Sequence, residues 1–327
     1  MNPGLAGLLS GRNQQWLIWT SVLSGLVYLG VSVFAGWQEV AHAFGRVGTA
    51  GIAIALLLSL VNYLLRFVRW QYFLRLLGCQ IPNKESLVIY LAGFGLTIVP
   101  GKAGEVVRSL FLNNRGMSYQ LSLAAFLAER LSDMMAVLIL TSIGFWGFAS
   151  ARPVIVGLSV MMLLLLLVLR LQGCRARLRA WTMLLVPDRL HGGLAAIGGV
   201  LGHVHTCLRG RPLLIGLVLS VGAWAAEAYA FYLVLQWMEA PISLPAATFI
   251  YAFSMLVGAI SFLPGGLGGV EATMVGLLIL IGLDQPLALA ATVIIRLTTL
   301  WFAVALGMLA LVAMLRIDAE SRLSKVS

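Results

Sequence analysis

Charged residues recur inside apolar sequence in this chain, and their spacing is the first sign of chemistry. In the stretch Val99-Pro100-Gly101-Lys102-Ala103-Gly104-Glu105-Val106-Val107-Arg108, three charges follow directly on an apolar run. A similar stretch recurs as Leu263-Pro264-Gly265-Gly266-Leu267-Gly268-Gly269-Val270-Glu271, again ending on a glutamate. Glu105 is followed 25 residues later by Arg130, and Glu271 is followed by Arg296 at the same interval. Glu129 and Asp133, at i and i+4, share one helical face with Arg130 beside them, and Glu227 lies inside a further apolar run.

A charge at the centre of a membrane helix costs about 2.5–3.5 kcal/mol on insertion scales. Glu105, Glu129, Arg130, Asp133, Glu227, Glu271 and Arg296 together would then cost on the order of 20 kcal/mol if they faced lipid. They must pair or line water. Two uses of each glutamate–arginine couple are open. One is an ion pair that pins a hairpin to the next span. The other is a polar site in which the arginines receive an anionic headgroup and the carboxylates balance or release it, and both can hold together. The glycine-rich turns add a second anion element, because Gly104 and Gly269 permit close backbone approach at the start of a half-helix with unsatisfied N–H groups.

The candidate substrate-binding set is therefore Lys102, Glu105, Arg108, Glu129, Arg130, Asp133, Glu227, Glu271 and Arg296. Hairpin turns are expected at Pro100, Gly101 and Gly104 and at Pro264, Gly265, Gly268 and Gly269. No catalytic residue, cofactor or metal is expected. His42, His191, His203 and His205 read as loop residues, and His203-x-His205 has the wrong spacing for one helical face.

These groups need elements to hold them, and the composition says which kind. The sequence is 61% hydrophobic and 10% charged, with mean hydropathy +0.98, far from the roughly 25% charged residues of soluble domains. Apolar runs at residues 16–37 and 153–171 approach or reach the ~20 residues that cross a ~30 Å hydrocarbon core. The net charge of +10 falls mostly at the ends of apolar segments, so it reports cytoplasmic loops and not nucleic-acid binding. Cys79, Cys174 and Cys207 are odd in number and have no C-x-x-C spacing, so no disulfide framework is indicated.

Taken in order, the pattern predicts full spans at about 16–37, 50–77, 118–150, 153–171, 212–237 and 287–315. Glu39, His42 and Arg46 fall in an outer loop, and Arg66, Arg69 and Arg75 snorkel to the inner interface. Residues 85–99 and 246–263 lead into Pro-Gly turns and return at once, giving two re-entrant hairpins. A basic amphipathic segment at about 172–211 lies along the cytoplasmic side, with Leu190, Leu194, Ile197, Leu201, Val204 and Leu208 on one face.

The expected fold is thus a single all-α polytopic membrane domain over 1–327, with about six transmembrane helices plus two re-entrant helical hairpins. It is built from two inverted repeats, about 16–150 and 153–316, with both termini cytoplasmic.

The pattern V-P-G-K-A-G-E-V-V-R, followed by A-E-R-L-S-D and later by L-P-G-G-L-G-G-V-E, resembles the lysylphosphatidylglycerol synthase/flippase membrane-domain family over roughly residues 16–315. The chain looks like a stand-alone member without the soluble synthase domain, so it is expected not to make the aminoacyl lipid itself. In that family the membrane domain is associated with moving aminoacylated phosphatidylglycerol between leaflets, and other stand-alone members are linked to hopanoid or glycolipid pathways.

The resemblance implies a non-enzymatic lipid translocase of a bacterial cytoplasmic membrane. Its partners would be membrane lipids, whether anionic phospholipid, aminoacylated lipid or polyprenyl-phosphate-linked lipid, with a second copy or a separate lipid-synthesising enzyme left open. Alternatives are a small-solute carrier, an accessory protein of those pathways, and a polyprenyl-diphosphate phosphatase. The phosphatase turn P-G-x-S-R-S is met here by Pro100-Gly101-Lys102-Ala103-Gly104-Glu105, which lacks its serine and adjacent arginine.

Overall fold

The computed structural model describes residues 30, 37–98, 103–144, 146–170, 191–240, 242–261 and 263–323, and all of the regular structure there is helical. The expected first span at 16–37 apart from residues 30 and 37, the turn residues Pro100, Gly101 and Lys102, the Glu105 side chain, and residues 172–190 of the basic segment, Cys174 among them, lie outside the described residues.

Helix α1 (Trp37–Leu76) begins well before the expected position 50. Glu39, His42 and Arg46 are therefore helical, not loop. Their neighbours Val40, Ala43 and Val47 are buried at three- and four-residue spacing, which marks an amphipathic turn that a search for continuous apolar sequence passes over. Gly48 interrupts the helix with φ 67°, a conformation that glycine adopts without strain.

Two short helices follow, α2 (Asn83–Gly95) and α3 (Ala103–Asn113). At 1.5 Å per residue they are about 20 and 16 Å long, too short to cross a ~30 Å core, and they pack against each other as a hairpin. Helix α4 (Tyr119–Ser142) is capped by Ser118, whose side chain accepts from the Leu121 amide. It stops eight residues short of the expected 150, and a 3-10 turn at Ala149–Ala151 follows. Just past the stop, Gly144 leaves room for the Phe249 ring, which a Cβ there would overlap.

Helix α5 (Arg152–Arg170) exposes Val160, Met161, Leu163 and Leu164, the surface of a helix facing lipid. Helix α6 (His191–Cys207) makes His191, His203 and His205 helical, against the loop expectation. It packs on α4 through Val200, Val204, Cys207 and Leu208, while Ile197 is exposed. Of the face read off the leucine spacing, Val204 and Leu208 are buried and Leu201 packs on the same cluster, beside Ala124 and Ala128 of α4, so among the described side chains only Ile197 departs from it.

Helix α7 (Arg211–Trp237) is followed by a second short pair, α8 (Leu244–Ile260) and α9 (Gly269–Leu280), joined by a 3-10 turn at Pro264–Gly266. The chain ends in α10 (Gln285–Arg296), a π-helical segment (Leu297–Trp301) and α11 (Phe302–Leu323). Tyr63 of α1 donates to the Thr299 carbonyl within the π segment.

Among the described residues, four stretches are long and apolar enough to cross a membrane: Gln38–Leu76, Ala149–Leu169, Arg211–Trp237 and Gln285–Met314. Helix α4 has the length but carries Glu129, Arg130 and Asp133.

Packing is reciprocal. Helices α1 and α7 lie along each other; α2 of the first hairpin docks on α11, and α8 of the second docks on α4. Where α2 meets α11 the backbones touch, since a Cβ on Gly95 would lie 2.8 Å from the Gly307 carbonyl carbon.

Candidate functional site

Polar groups gather where α1, α2, α3, α4 and α7 meet. Arg66 and Arg69 lie about 15 and 10 Å from the end of α1, too deep to reach water there, so they point sideways instead of snorkelling. Arg69 is fully buried. Its Nη1 donates to Asp133 Oδ1 (2.6 Å) and to the Ser220 hydroxyl of α7. Arg66 Nη2 donates to the other Asp133 oxygen at 3.2 Å, and Trp224 Nε1 of α7 donates to Oδ1 at 3.1 Å. Arg75, at the helix end, is exposed and bonds Asn83.

Glu129, one turn before Asp133 and also fully buried, lies between two arginines. Arg108 of α3 donates to Oε2 at 3.3 Å, and Arg69 Nη2 stands 3.5 Å from Oε1. Arg108 also donates to the Tyr90 carbonyl, and its guanidinium stacks 4.3 Å over the Tyr90 ring and 5.0 Å over Trp70. Gly93 leaves the room for it, because a Cβ there would overlap Arg108 Nε. A guanidinium held against aromatic faces keeps its charge while giving up water, which suits arginine better than lysine.

Arg130 departs from expectation. It turns to the rim, with its side chain 42% exposed, over Phe126, and 3.4 Å from Asp133. The Glu105 side chain of the expected Glu105–Arg130 couple lies outside the described residues; among the described ones Arg130 meets Asp133, one turn along the same helix.

In the second half Arg296 is buried and Nε donates to Glu271 Oε1 at 2.6 Å, while Nη2 donates to the Gly265 carbonyl at 2.9 Å. The other Glu271 oxygen accepts from the Gly268 amide at 2.6 Å, capping α9 from its third residue. Gly265, Gly266 and Gly268 all have positive φ, so this turn needs glycine. Glu227 of α7 is buried and accepts from the Tyr251 hydroxyl of α8 at 2.6 Å. The charges of both Arg66 and Arg296 lie within electrostatic reach of it.

The structure thus brings together Arg108, Glu129 and Asp133, pairs Glu271 with Arg296, sets Glu227 against Tyr251, and leaves Arg130 at the edge. Sequence reasoning missed Arg66, Arg69, Tyr90, Ser220 and Trp224. The available signal was Arg66-x-x-Arg69 inside an apolar run a full two turns before its end, which reads as an intramembrane site by default. Among the described residues no group of three His, Cys, Asp or Glu side chains is placed to hold a metal ion.

Helices of spanning length, two hairpins too short to span, and a charged layer sealed between them define a polytopic all-α integral membrane protein. The chain belongs to the family of the lysylphosphatidylglycerol synthase TM region, which matches it over residues 21–307. It is similar to UPF0104 membrane proteins of Methanothermobacter thermautotrophicus. One is 24% identical, with 89% of this chain and 93% of the relative covered, and another is 26% identical, with 87% and 90% covered. A UPF0104 membrane protein of Pyrococcus horikoshii is 23% identical over 86% of this chain and 94% of its own length.

Proposed function

We propose that this protein is a lipid translocase that carries an anionic or phosphate-bearing lipid between leaflets, without altering it chemically, through the polar layer between the two hairpins. The carrying observation is the buried network of Arg66, Arg69 and Arg108 around Glu129 and Asp133, closed by helices too short to cross the membrane. Burying such a network costs more than its pairing returns, so fold stability alone is a poor reason to keep it. The reciprocal docking of α2 on α11 and of α8 on α4 supports two inverted repeats that rock against each other around a fixed site. The basic ends of the apolar segments favour cytoplasmic termini in a bacterial inner membrane.

The test is headgroup accessibility of labelled lipids in proteoliposomes. Anionic lipid is expected to exchange between leaflets faster than in protein-free vesicles, and exchange should fall when Arg69 or Arg108 is replaced. If no lipid moves faster while a water-soluble solute does, a small-solute carrier takes the place of this reading. Release of phosphate from a polyprenyl diphosphate would make the protein a hydrolase.

A further inference from the structure

Four guanidinium groups, Arg66, Arg69, Arg108 and Arg130, share two carboxylates, Asp133 and Glu129. Arginine does not lose its proton in proteins, so among these six described side chains two positive charges stand in excess, or one if Glu227 is ionised beside Arg66; the Glu105 side chain lies outside the described residues. The second half holds none: Arg296 and Glu271 balance.

The excess has unused donors attached to it. Among the described residues, Arg66 Nε, Arg69 Nε and Nη2, Arg108 Nε and Arg130 Nε are buried with no hydrogen-bond partner. So is the hydroxyl of Tyr90, a fully buried side chain within electrostatic reach of Arg66, Arg69, Arg108 and Glu129. A buried donor without an acceptor costs stability, and here several belong to arginines that share Glu129 and Asp133. Glu129 Oε1 is also unpartnered, at 3.5 Å from Arg69 Nη2, so the pair stands slightly open.

We infer that this arginine–tyrosine cluster is a binding site for a phosphomonoester headgroup, and that the cargo of the proposed translocase is a lipid ending in a phosphomonoester and not a phosphodiester or an aminoacylated lipid. The inference rests on the translocase reading. A phosphomonoester carries about −1.5 to −2 at pH 7, matching an excess of one to two, and offers three acceptor oxygens to the idle donors. A phosphodiester brings one charge and fewer free oxygens. A lysylated headgroup brings net positive charge into a site already positive. Arg130, at the rim and on the same Asp133 carboxylate, is the first guanidinium an incoming headgroup meets.

The full chain in phosphatidylcholine nanodiscs would be titrated with dioctanoyl phosphatidic acid, dioctanoyl phosphatidylglycerol, its lysylated form and inorganic phosphate. The phosphomonoester lipid should bind roughly tenfold or more tightly than the diester, the effect of about one charge-assisted hydrogen bond, and should weaken as pH falls through its second pKa near 6. Tyr90→Phe removes a hydroxyl that nothing else uses. It should leave the ligand-free melting temperature unchanged or higher while lowering phosphomonoester affinity roughly tenfold. Arg108→Lys should weaken it further.

Equal affinity for the diester, or unchanged affinity in Tyr90→Phe, overturns the inference, as does no binding at all, which would leave only water in the cluster. Inorganic phosphate binding as tightly as the lipid overturns the lipid assignment. Selective binding of the phosphomonoester lipid without its movement between leaflets upholds the site and removes the translocase reading. Movement of phosphatidylglycerol as fast as of phosphatidic acid does the reverse.

Discussion

The two halves of this protein place a glutamate 25 residues before an arginine in the same way, yet the structure uses them differently. In the second half Glu271 and Arg296 close on each other, and each spends its remaining capacity on the Gly265–Gly268 turn. In the first half Arg130 swings out, and the buried positions are taken by Arg66 and Arg69 from α1 and Arg108 from α3. One half holds a satisfied clip; the other holds an over-supplied cluster. A repeated spacing therefore fixes where charges sit along the chain, while the neighbouring helix decides which of them are satisfied.

The largest test of that contrast is Arg69→Ala. Removing a fully buried guanidinium leaves Asp133 and Glu129 short of a partner, and breaking such a pair costs about 3–5 kcal/mol. Unfolding in mixed micelles should register the loss, with partial rescue by Asp133→Asn in the same chain. Arg296→Ala should cost less, roughly 1–3 kcal/mol, because Glu271 is 17% exposed at its side chain and keeps the Gly268 amide. Equal losses for the two variants would erase the distinction drawn here.

Exchanging Glu271 and Arg296 should not restore stability, although a bare ion pair would tolerate it. Arginine cannot accept from the Gly268 amide, and glutamate cannot donate to the Gly265 carbonyl. A swapped protein as stable as the original would mean that the turn contacts contribute nothing. The smallest effect is expected from Arg130→Ala, below about 1 kcal/mol in the same unfolding measurement, as for other exposed pairs. A loss near that of Arg69→Ala would put Arg130 inside the cluster after all.

Much of the fold was legible because hydrophobic length and Pro-Gly punctuation act locally. The two short pairs, α2 with α3 and α8 with α9, fall close to their expected residues. What was not legible depends on neighbours. Arg66 and Arg69 read as snorkelling residues because basic side chains near a helix end usually find water. Only the carboxylates of α4, more than 60 positions later, draw them inward. The need for glycine at position 144, just past α4, depends in the same way on Phe249, a residue of another element. Glu39, His42 and Arg46 were misread for a different reason: the helix there is amphipathic, and polarity on one face was taken for a loop.

The crossing of α2 and α11 at Gly95 and Gly307 carries a mechanical consequence. At its counterpart, where α8 meets α4, the Phe249 ring sits in the hollow left by Gly144, an interlock that must be withdrawn before either helix can turn. At Gly95 and Gly307 the contact is backbone on backbone, and beside it Ile89 and Ala92 of α2 share one buried cluster with Leu311 and Met314 of α11. Any turn of the first hairpin would therefore have to shear that seam, as a turn of the second would have to withdraw Phe249.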